Sequence, residues 1–201
     1  MPTLSEPAIA SLLTPYLPQA PASILPQLST YLDLLLKWNA RTNLTAIRDP
    51  EEIVRRHFGE SLFAGLHISA ETKTLLDFGS GAGFPGLPIA LLHPEIQVTL
   101  AESQNKKSTF LREAVRTLAL SNVEVWPNRV ETMAPTRLFN VVALRAVDDM
   151  AIALPAAKSR ITPGGQLLLL TTANQAPANG TATPLPNSQS GVLYTGSKAV
   201  L

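Results

Sequence analysis

Hydrophobic residues in the first part of the chain recur at helical spacing between stretches rich in proline. Six prolines fall within residues 2–26 and break this region into short pieces. The run from Leu28 to Trp38 contains neither proline nor glycine, and its apolar residues return every three or four positions, which predicts a helix. A second helix is predicted from Asp49 through Phe63, because Asp-Pro-Glu-Glu supplies an N-cap, a first-turn proline and two first-turn acids.

From Thr74 onward the pattern changes to short apolar runs that alternate with helix-forming stretches. The runs predict five strands, at residues 74–78, 96–101, 123–126, 139–144 and 166–172. Helices are predicted between them, at residues 86–92, 106–120 and 149–160. Strands that alternate with helices imply right-handed crossovers, and therefore a mostly parallel sheet with helices on both faces. The expected fold class is α/β.

The chain is expected to form one compact unit with an N-terminal appendage. We interpret residues 1–70 as a helical extension and residues 71–201 as the sheet domain. Residues 174–191 are small, polar and rich in proline, which predicts a loop-like or disordered segment after the fifth strand. The final run VLYTGSKAV, residues 192–200, is interpreted as one last edge strand.

Composition fits a packed globular chain and excludes several kinds of site. Hydrophobic residues make up 45% of the chain and charged residues 15%, which is typical of a folded core. The chain has no cysteine, so disulfides, zinc–thiolate sites and cysteine nucleophiles are excluded. His67 and His93 are isolated in the sequence, and no metal site is expected.

Charge and targeting signals limit the possible partners. The formal net charge is +1, so binding to nucleic acid would have to depend on a local basic patch. No uncharged apolar run approaches about 18 residues, and the N-terminus lacks a basic region before its apolar residues. Neither a membrane span nor a signal peptide is expected, and the expected location is the cytoplasm.

A glycine-rich loop at Asp77 to Gly86, DFGSGAGFPG, follows a predicted strand and opens a predicted helix. Its spacing from Gly81 to Gly86 is G-x-G-x-x-G, and glycines there allow a tight turn and the close approach of a ligand. Glu102 ends the next strand, 21 residues after Gly81, where a fold of this kind places a carboxylate against ribose hydroxyls. The pattern predicts a site for a nucleoside-type ligand.

Two cofactors compete for such a site. A dinucleotide would place its pyrophosphate on the N-terminus of the helix, whereas S-adenosylmethionine has no phosphate and carries a positive sulfonium. Asp77, just before the loop, would repel a pyrophosphate and suit a cationic methyl donor. The sequence favours S-adenosylmethionine over a dinucleotide and over a turn without a ligand.

Several motifs together resemble those of a known family. They are WNARTNLTAIRDPEEIVRRHFGESL at 38–62, LLDFGSGAGFPGLPIALLHPEIQVTLAES at 75–103, NRVE at 128–131 and LRAV at 144–147. This combination resembles the ribosomal small-subunit methyltransferase G family, from about Leu28 to about Met150. Glu102 stands where the family more often has Asp, and the sequence after the fifth strand departs from the family pattern.

The resemblance implies a Rossmann-like fold and methyl transfer from S-adenosylmethionine to N7 of a guanine in the decoding region of 16S rRNA, the 530-loop guanine. It also implies contacts of Gly79 and Phe84 with the cofactor, Val130 and Glu131 beside the adenine, and Arg145 at the mouth of the site. The full set of expected cofactor-binding residues is Asp77, Gly79, Gly81, Gly83, Phe84, Glu102, Val130, Glu131 and Arg145.

The implied chemistry needs little from the protein beyond positioning. Guanine N7 carries a free lone pair at neutral pH and attacks a sulfonium methyl without a general base, so catalysis is expected to rest on orientation. Arg145 is the candidate catalytic residue, because a guanidinium can hold an RNA phosphate or the cofactor carboxylate with two parallel hydrogen bonds.

The expected partner is 16S rRNA, in the small ribosomal subunit or in one of its assembly intermediates, and a monomer is expected. Basic residues on two elements beside the glycine loop are predicted to contact RNA, namely Arg48, Arg55, Arg56, Lys106, Lys107 and Arg112, with Arg41 and His57 as further candidates. Two alternatives stay open at this point. One is a methyltransferase-fold protein acting on another substrate, and the other is a catalytically weak RNA-binding or ribosome-assembly factor.

Overall fold

The computed structural model describes residues 2–145 and 150–199. Within them, seven strands form one sheet in the order β3-β2-β1-β4-β5-β7-β6. The strands are β1 Thr74–Phe78, β2 Gln97–Ala101, β3 Val123–Trp126, β4 Phe139–Arg145, β5 Ile161–Thr172, β6 Thr181–Pro184 and β7 Gly191–Ser197. Strands β1 to β5 run parallel, whereas β7 is antiparallel to both β5 and β6. The predicted mostly parallel α/β sheet is confirmed.

The order of the strands reverses in the middle of the sheet. The first strand of the sheet is β1. The chain then moves outward through β2 to β3, and returns to place β4 against the other side of β1. In open α/β sheets a crevice forms where connections leave in opposite directions, outside the carboxyl ends of the strands. The glycine loop follows β1 and therefore lies at this switch point.

Helices cover both faces of the sheet and form most of the N-terminal region. They are α1 Glu6–Leu13, α2 Leu25–Asn39, α3 Pro50–Glu52, α4 Glu60–Gly65, α5 Gly86–Leu92, α6 Asn105–Thr117 and α7 Met150–Ser159. A π-helical segment, Ile53–Gly59, joins α3 to α4. The predicted cap at the start of α3 is present, since the Asp49 carboxylate accepts a hydrogen bond from Glu52 N at 2.9 Å. Asp49 thus begins helical structure as expected, while Asp149, predicted to begin a later helix, lies outside the described residues.

The N-terminal helices share a hydrophobic core with one face of the sheet. Buried residues of α1, α2 and the π-helical segment belong to the same cluster as Leu75, Leu100 and Val141 of the strands. The opposite face packs mainly around α7, in a second cluster that includes Leu144 and Leu169. No helix among residues 2–145 and 150–199 has the length and apolar character required to cross a membrane.

The C-terminal region corrects the sequence prediction in two places. Thr181–Pro184, predicted to be loop-like or disordered within residues 174–191, forms strand β6 and is the edge of the sheet. Strand β7, predicted to be the edge, lies between β5 and β6 instead. A short polar run can form an edge strand because half of its backbone groups and one of its faces remain in water, so hydrophobic patterning does not reveal it. The predicted fifth strand also begins earlier, at Ile161 rather than Gln166.

Candidate functional site

The glycine loop turns sharply from β1 into α5. Gly79 has a φ of +74°, a backbone conformation that residues with a Cβ rarely adopt. Among the described residues, no heavy atom lies within 4 Å of the position that a Cβ on Gly79 would take. A Cβ on Gly83, by contrast, would collide with Leu87 and with the hydroxyl of Tyr31. Gly79 therefore faces open space beside the loop, whereas Gly83 is required by packing underneath it.

Glu102 ties the end of β2 to this loop. Its side chain is buried, and one carboxylate oxygen accepts a hydrogen bond from Gly81 N at 3.0 Å. The other oxygen accepts from Gln104 N at 2.7 Å. The predicted spacing of Glu102 from the loop is thus matched by direct contact, and further lone pairs of the carboxylate are available to hydroxyl donors.

A pocket of about 430 Å³ at the far end of α6 is lined by Arg112, Arg116 and neighbouring residues, away from this loop. Beside the loop, at the carboxyl ends of β1 and β2, lies another cavity of about 380 Å³, here called the first pocket. Its walls come from the loop, from the turn after β3 and from α7. The lining residues are Phe78, Gly79, Ala101, Glu102, Ser103, Asn128, Arg129, Val130, Glu131, Ile152 and Ala153.

The first pocket brings together four residues that the sequence singles out: Gly79, Glu102, Val130 and Glu131. Val130 and Glu131 begin a 3₁₀ turn, Val130–Thr132, that follows β3. Sequence reasoning missed the α7 wall. Ile152 is 66% exposed there, and this exposure is visible only in the structure.

Asp77 is placed beneath the loop, with its side chain wholly buried. One carboxylate oxygen accepts a hydrogen bond from Gly86 N at 2.9 Å, and the other has no hydrogen-bond partner among the described residues. Burial raises the pKa of Asp77 to about 7, although the hydrogen bond from Gly86 opposes that change. In this position Asp77 holds the first turn of α5 against the end of β1.

Replacing Asp77 by asparagine is expected to stabilise the protein relative to wild type as the pH rises. The pKa of Asp77 is raised in the folded state, so its favourable contribution is present at low pH and is lost between about pH 4 and pH 7. Asparagine keeps an acceptor for Gly86 N and does not ionise. The difference in free energy of unfolding should change by about 1–4 kcal/mol across that window in denaturant titrations. A difference independent of pH would contradict the buried placement.

Phe84 is buried in an aromatic cluster that joins the loop to the N-terminal helices. Its ring stacks on His57, with centroids 4.6 Å apart, and on Tyr31 at 5.5 Å. Tyr31 also stacks on Phe58 and donates a hydrogen bond to Ala82 O within the loop. Packing of Phe84 in this cluster therefore helps to fix the conformation of the loop. Tyr31 itself is completely buried.

His57 lies within the π-helical segment, and its Nε2 is 2.7 Å from Thr45 Oγ1. Burial, followed by the charges of Arg145 and Arg56, lowers the pKa of His57 to about 3. The imidazole is therefore neutral at physiological pH and does not act as a cation toward RNA. His57 contacts Thr45 on one side and stacks on Phe84 on the other. It therefore links residues 38–45 to the glycine loop.

Arg145 ends β4 and belongs to a buried ion pair. Its Nη2 lies 2.7 Å from an oxygen of Glu60 and donates to Arg56 O at 2.8 Å. Its Nη1 is buried and has no hydrogen-bond partner among the described residues. Arg145, Glu60 and Arg56 line a cavity of about 270 Å³, here called the second pocket, together with Met150, Leu170, Thr171, Thr172, Gln175, Leu185, Ser188, Ser190 and Gly191.

The basic residues predicted to face RNA occupy different environments. Arg48 donates to Asn39 O and Asn43 Oδ1, and Arg55 pairs with Glu51 and Glu52. The Arg56 side chain is 59% exposed beside the second pocket. Lys106 and Lys107 begin α6, and Lys106 is exposed at the same edge of the sheet as the loop. Arg112 lies farther along α6. Of these six residues, Arg56 lines the second pocket, and Lys106 and Lys107 lie in the first turn of α6, which follows β2.

A model of the family GidB, rRNA small subunit methyltransferase G, matches residues 24–184. The ribosomal RNA small subunit methyltransferase G of Xanthomonas axonopodis pv. citri is 42% identical over 140 residues, which cover 70% of this chain and 65% of that protein. The protein of the same name from Stenotrophomonas maltophilia strain K279a is 42% identical over 149 residues, covering 74% and 69%. The chain thus spans slightly less than two thirds of the first relative's length.

Solved structures agree at the level of the fold. M. jannaschii TYW2 in complex with AdoMet superposes with a TM-score of 0.57 at 13% identity, over 69% of this chain and 73% of that one. A predicted O-methyltransferase of Agrobacterium tumefaciens gives a TM-score of 0.57 at 20% identity, over 69% and 79%. The sheet, with its glycine loop after β1, therefore has the Rossmann-like methyltransferase fold. Within that class, the chain belongs to the rRNA small subunit methyltransferase G family.

Proposed function

We propose that the chain is an S-adenosylmethionine-dependent methyltransferase that modifies N7 of a guanine in 16S rRNA. The observation that carries the proposal is the first pocket. There the backbone of Gly79 borders open space, and the Glu102 carboxylate beside it accepts a hydrogen bond from Gly81 N of the loop. Family membership supplies the substrate class, since relatives carry the name ribosomal RNA small subunit methyltransferase G.

The hydrogen bonds of the loop favour S-adenosylmethionine over a dinucleotide. A pyrophosphate needs free backbone N–H groups at the helix N-terminus. Here these groups already donate within the protein, to Ala101 O, Ser80 O, Glu102 and Asp77; the donors are the N–H groups of Gly79, Ser80, Gly81, Gly83, Phe84 and Gly86. The α5 N-terminus also faces the Asp77 carboxylate instead of an anion site. A ligand without phosphate suits this arrangement.

In the proposed complex, Glu102 accepts hydrogen bonds from the ribose hydroxyls, and Val130 and Glu131 flank the adenine. Gly79 and Gly81 allow the ligand to approach the backbone. Asp77, Gly83 and Phe84 lie under the loop and would support the cofactor site indirectly. They hold the turn of the loop and the start of α5 in place. S-adenosylmethionine supplies an electrophilic methyl group on a cationic sulfur.

The chemistry that the protein must support is a direct displacement. S-adenosylmethionine, held by Glu102 and the glycine loop, would supply the methyl group, and the lone pair of guanine N7 would accept it as S-adenosylhomocysteine leaves and the positive charge passes to the purine. No proton leaves N7, so a general base is not needed. The contribution of the protein is orientation, which can supply about 7–11 kcal/mol in favourable intramolecular cases. Arg145 would act by holding a phosphate of the RNA near the reacting base.

Binding measurements test the cofactor half of the proposal. Calorimetry of the full chain should detect S-adenosylmethionine and S-adenosylhomocysteine, and should detect NAD far more weakly or not at all. Replacing Glu102 by alanine should weaken S-adenosylmethionine binding about tenfold or more, because charge-assisted hydrogen bonds contribute about 1.5–3 kcal/mol. A wild-type chain that binds NAD more tightly than S-adenosylmethionine would contradict the proposed function.

RNA binding is expected to depend strongly on salt through Lys106, Lys107 and Arg56. Each phosphate contact contributes about 0.7–0.9 to the slope of log affinity against log salt concentration. Lys106→Ala should lower the magnitude of that slope by about 0.7–0.9, the contribution of one phosphate contact. Lys158 lies in the last turn of α7, at the opposite edge of the sheet, and Lys158→Ala should leave the slope unchanged. Equal slopes for wild type and Lys106→Ala in filter binding to 16S rRNA would exclude this surface.

A further inference from the structure

The second pocket lies at the same edge of the sheet as the first. It opens outside the carboxyl ends of β4 and β5, whereas the first pocket lies outside those of β1 and β2. The beginning of α7 contributes to both, since Met150 lines the second pocket and Ile152 and Ala153 line the first. A molecule in the second pocket would therefore be a direct neighbour of one in the first.

The lining of the second pocket combines three kinds of group. Arg56 and Arg145 contribute two guanidiniums against the single carboxylate of Glu60. Leu170 and Leu185 are buried and apolar. Hydroxyl and amide groups from Thr171, Thr172, Gln175, Ser188 and Ser190 complete the lining. A cationic side, an apolar side and a set of hydroxyls match the phosphate, base and sugar of a nucleotide.

Arg145 is held in a fixed orientation in this pocket. Its side chain is 13% exposed, and its Nη2 is held by Glu60 and by Arg56 O. Its Nη1 is buried and lacks a hydrogen-bond partner among residues 2–145 and 150–199. Buried donors normally have partners, so an unused guanidinium nitrogen indicates that the pocket is built to meet an acceptor.

We propose that the second pocket binds the target nucleotide of the RNA, with its phosphate toward Arg56 and Arg145 and its purine against the apolar side. This inference rests on the proposed function, because it takes the first pocket as the site of the methyl donor. N7 lies on the edge of guanine that is inaccessible in an A-form helix, so the base must leave the stack and enter a pocket to be methylated. The second pocket adjoins the site assigned to the methyl donor, because α7 contributes residues to both pockets.

One wall of the pocket comes from residues 173–190, which connect the end of β5 to the start of β7 and include β6. Gln175, Leu185, Ser188 and Ser190 all belong to this segment. Ser190 O accepts a hydrogen bond from Ala173 N at 2.9 Å, which closes the segment onto the end of β5. The segment that departs most from the family sequence pattern is thus assigned to recognition of the acceptor nucleotide.

The test places a negative charge inside the second pocket and, as a control, the same charge one residue away. Ser190 is exposed at the wall of the pocket, so Ser190→Glu should fold normally while repelling a phosphate. Gln189, its exposed neighbour, is the matched position, and Gln189→Glu adds the same charge to the same loop. Both variants are assayed with labelled S-adenosylmethionine and 30S particles or protein-free 16S rRNA, and by calorimetry for the cofactor alone.

We expect Ser190→Glu to raise KM for RNA at least about tenfold. Its affinity for S-adenosylmethionine should stay within about twofold of wild type, and Gln189→Glu should resemble wild type in both assays. Equal KM values for the two variants, or a loss of cofactor affinity in Ser190→Glu, would overturn the assignment of the second pocket. A wild-type chain that binds no S-adenosylmethionine or methylates no RNA would instead refute the proposed function itself, so the two failures are distinguishable.

Discussion

Replacing Gly79 by alanine is expected to lower the affinity for S-adenosylmethionine at least about tenfold while the protein remains folded. The added methyl group would meet no heavy atom of the described residues within 4 Å, so it projects into the space assigned to the cofactor. Its cost to folding comes from the φ of +74°, where an L-residue loses about 1–2 kcal/mol. Calorimetric titration with S-adenosylmethionine, combined with thermal unfolding, measures both effects.

Gly164 supplies a closely matched control. Its φ is +77°, and a Cβ there would likewise meet no described heavy atom within 4 Å, but it lies near the beginning of β5, at the opposite edge of the sheet. Gly164→Ala should show the same loss of stability and an unchanged cofactor affinity. If the two variants bind S-adenosylmethionine equally well, the cofactor does not pass over Gly79, and the first pocket is not its site.

Replacing Arg145 by alanine is expected to reduce methyl transfer at least about tenfold and also to destabilise the fold. The loss of transfer follows from a missing charge-assisted contact, which costs about 1.5–3 kcal/mol. The loss of stability follows because the Glu60 carboxylate, 8% exposed, would remain buried without its partner. Breaking one side of a buried ion pair costs about 3–5 kcal/mol. Single-turnover methylation and denaturant titration give the two quantities.

A double replacement separates the structural role of Arg145 from its functional role. Glu60→Gln combined with Arg145→Gln removes both charges and retains polar side chains of related shape. We expect this variant to recover much of the lost stability while transfer remains at least about tenfold slower than in wild type. If the stable double variant methylates RNA at the wild-type rate, the pair serves only the fold.

Much of the sheet and part of the site were predictable because they depend on local sequence. The glycine loop, the strand before it and the helix after it follow from short-range sequence patterns, and the structure places Glu102 against the loop through a hydrogen bond from Gly81 N. The Asp49 cap is equally local. Hydrophobic periodicity also identified α2 and α6, although each is displaced by a few residues at its ends.

The features that sequence could not give depend on contacts between distant residues. The partner of Arg145 is Glu60, and a charge pair on separate elements leaves no periodic signal. The burial of Asp77 is invisible from its position at the end of a strand, because an acid there can face either the ligand or the core. The stacking of His57 on Phe84 likewise depends on how the N-terminal helices pack against the loop.

Methyl transfer to guanine N7 can be measured directly by labelling the RNA. The purified chain is incubated with methyl-labelled S-adenosylmethionine and small ribosomal subunits whose 16S rRNA lacks the modification. The RNA is then digested to nucleosides and separated by chromatography. We expect stoichiometric label in 7-methylguanosine, and Gly79→Ala should slow its appearance at least about tenfold when S-adenosylmethionine is limiting. Label in another nucleoside, or none in RNA despite tight cofactor binding, would contradict the account.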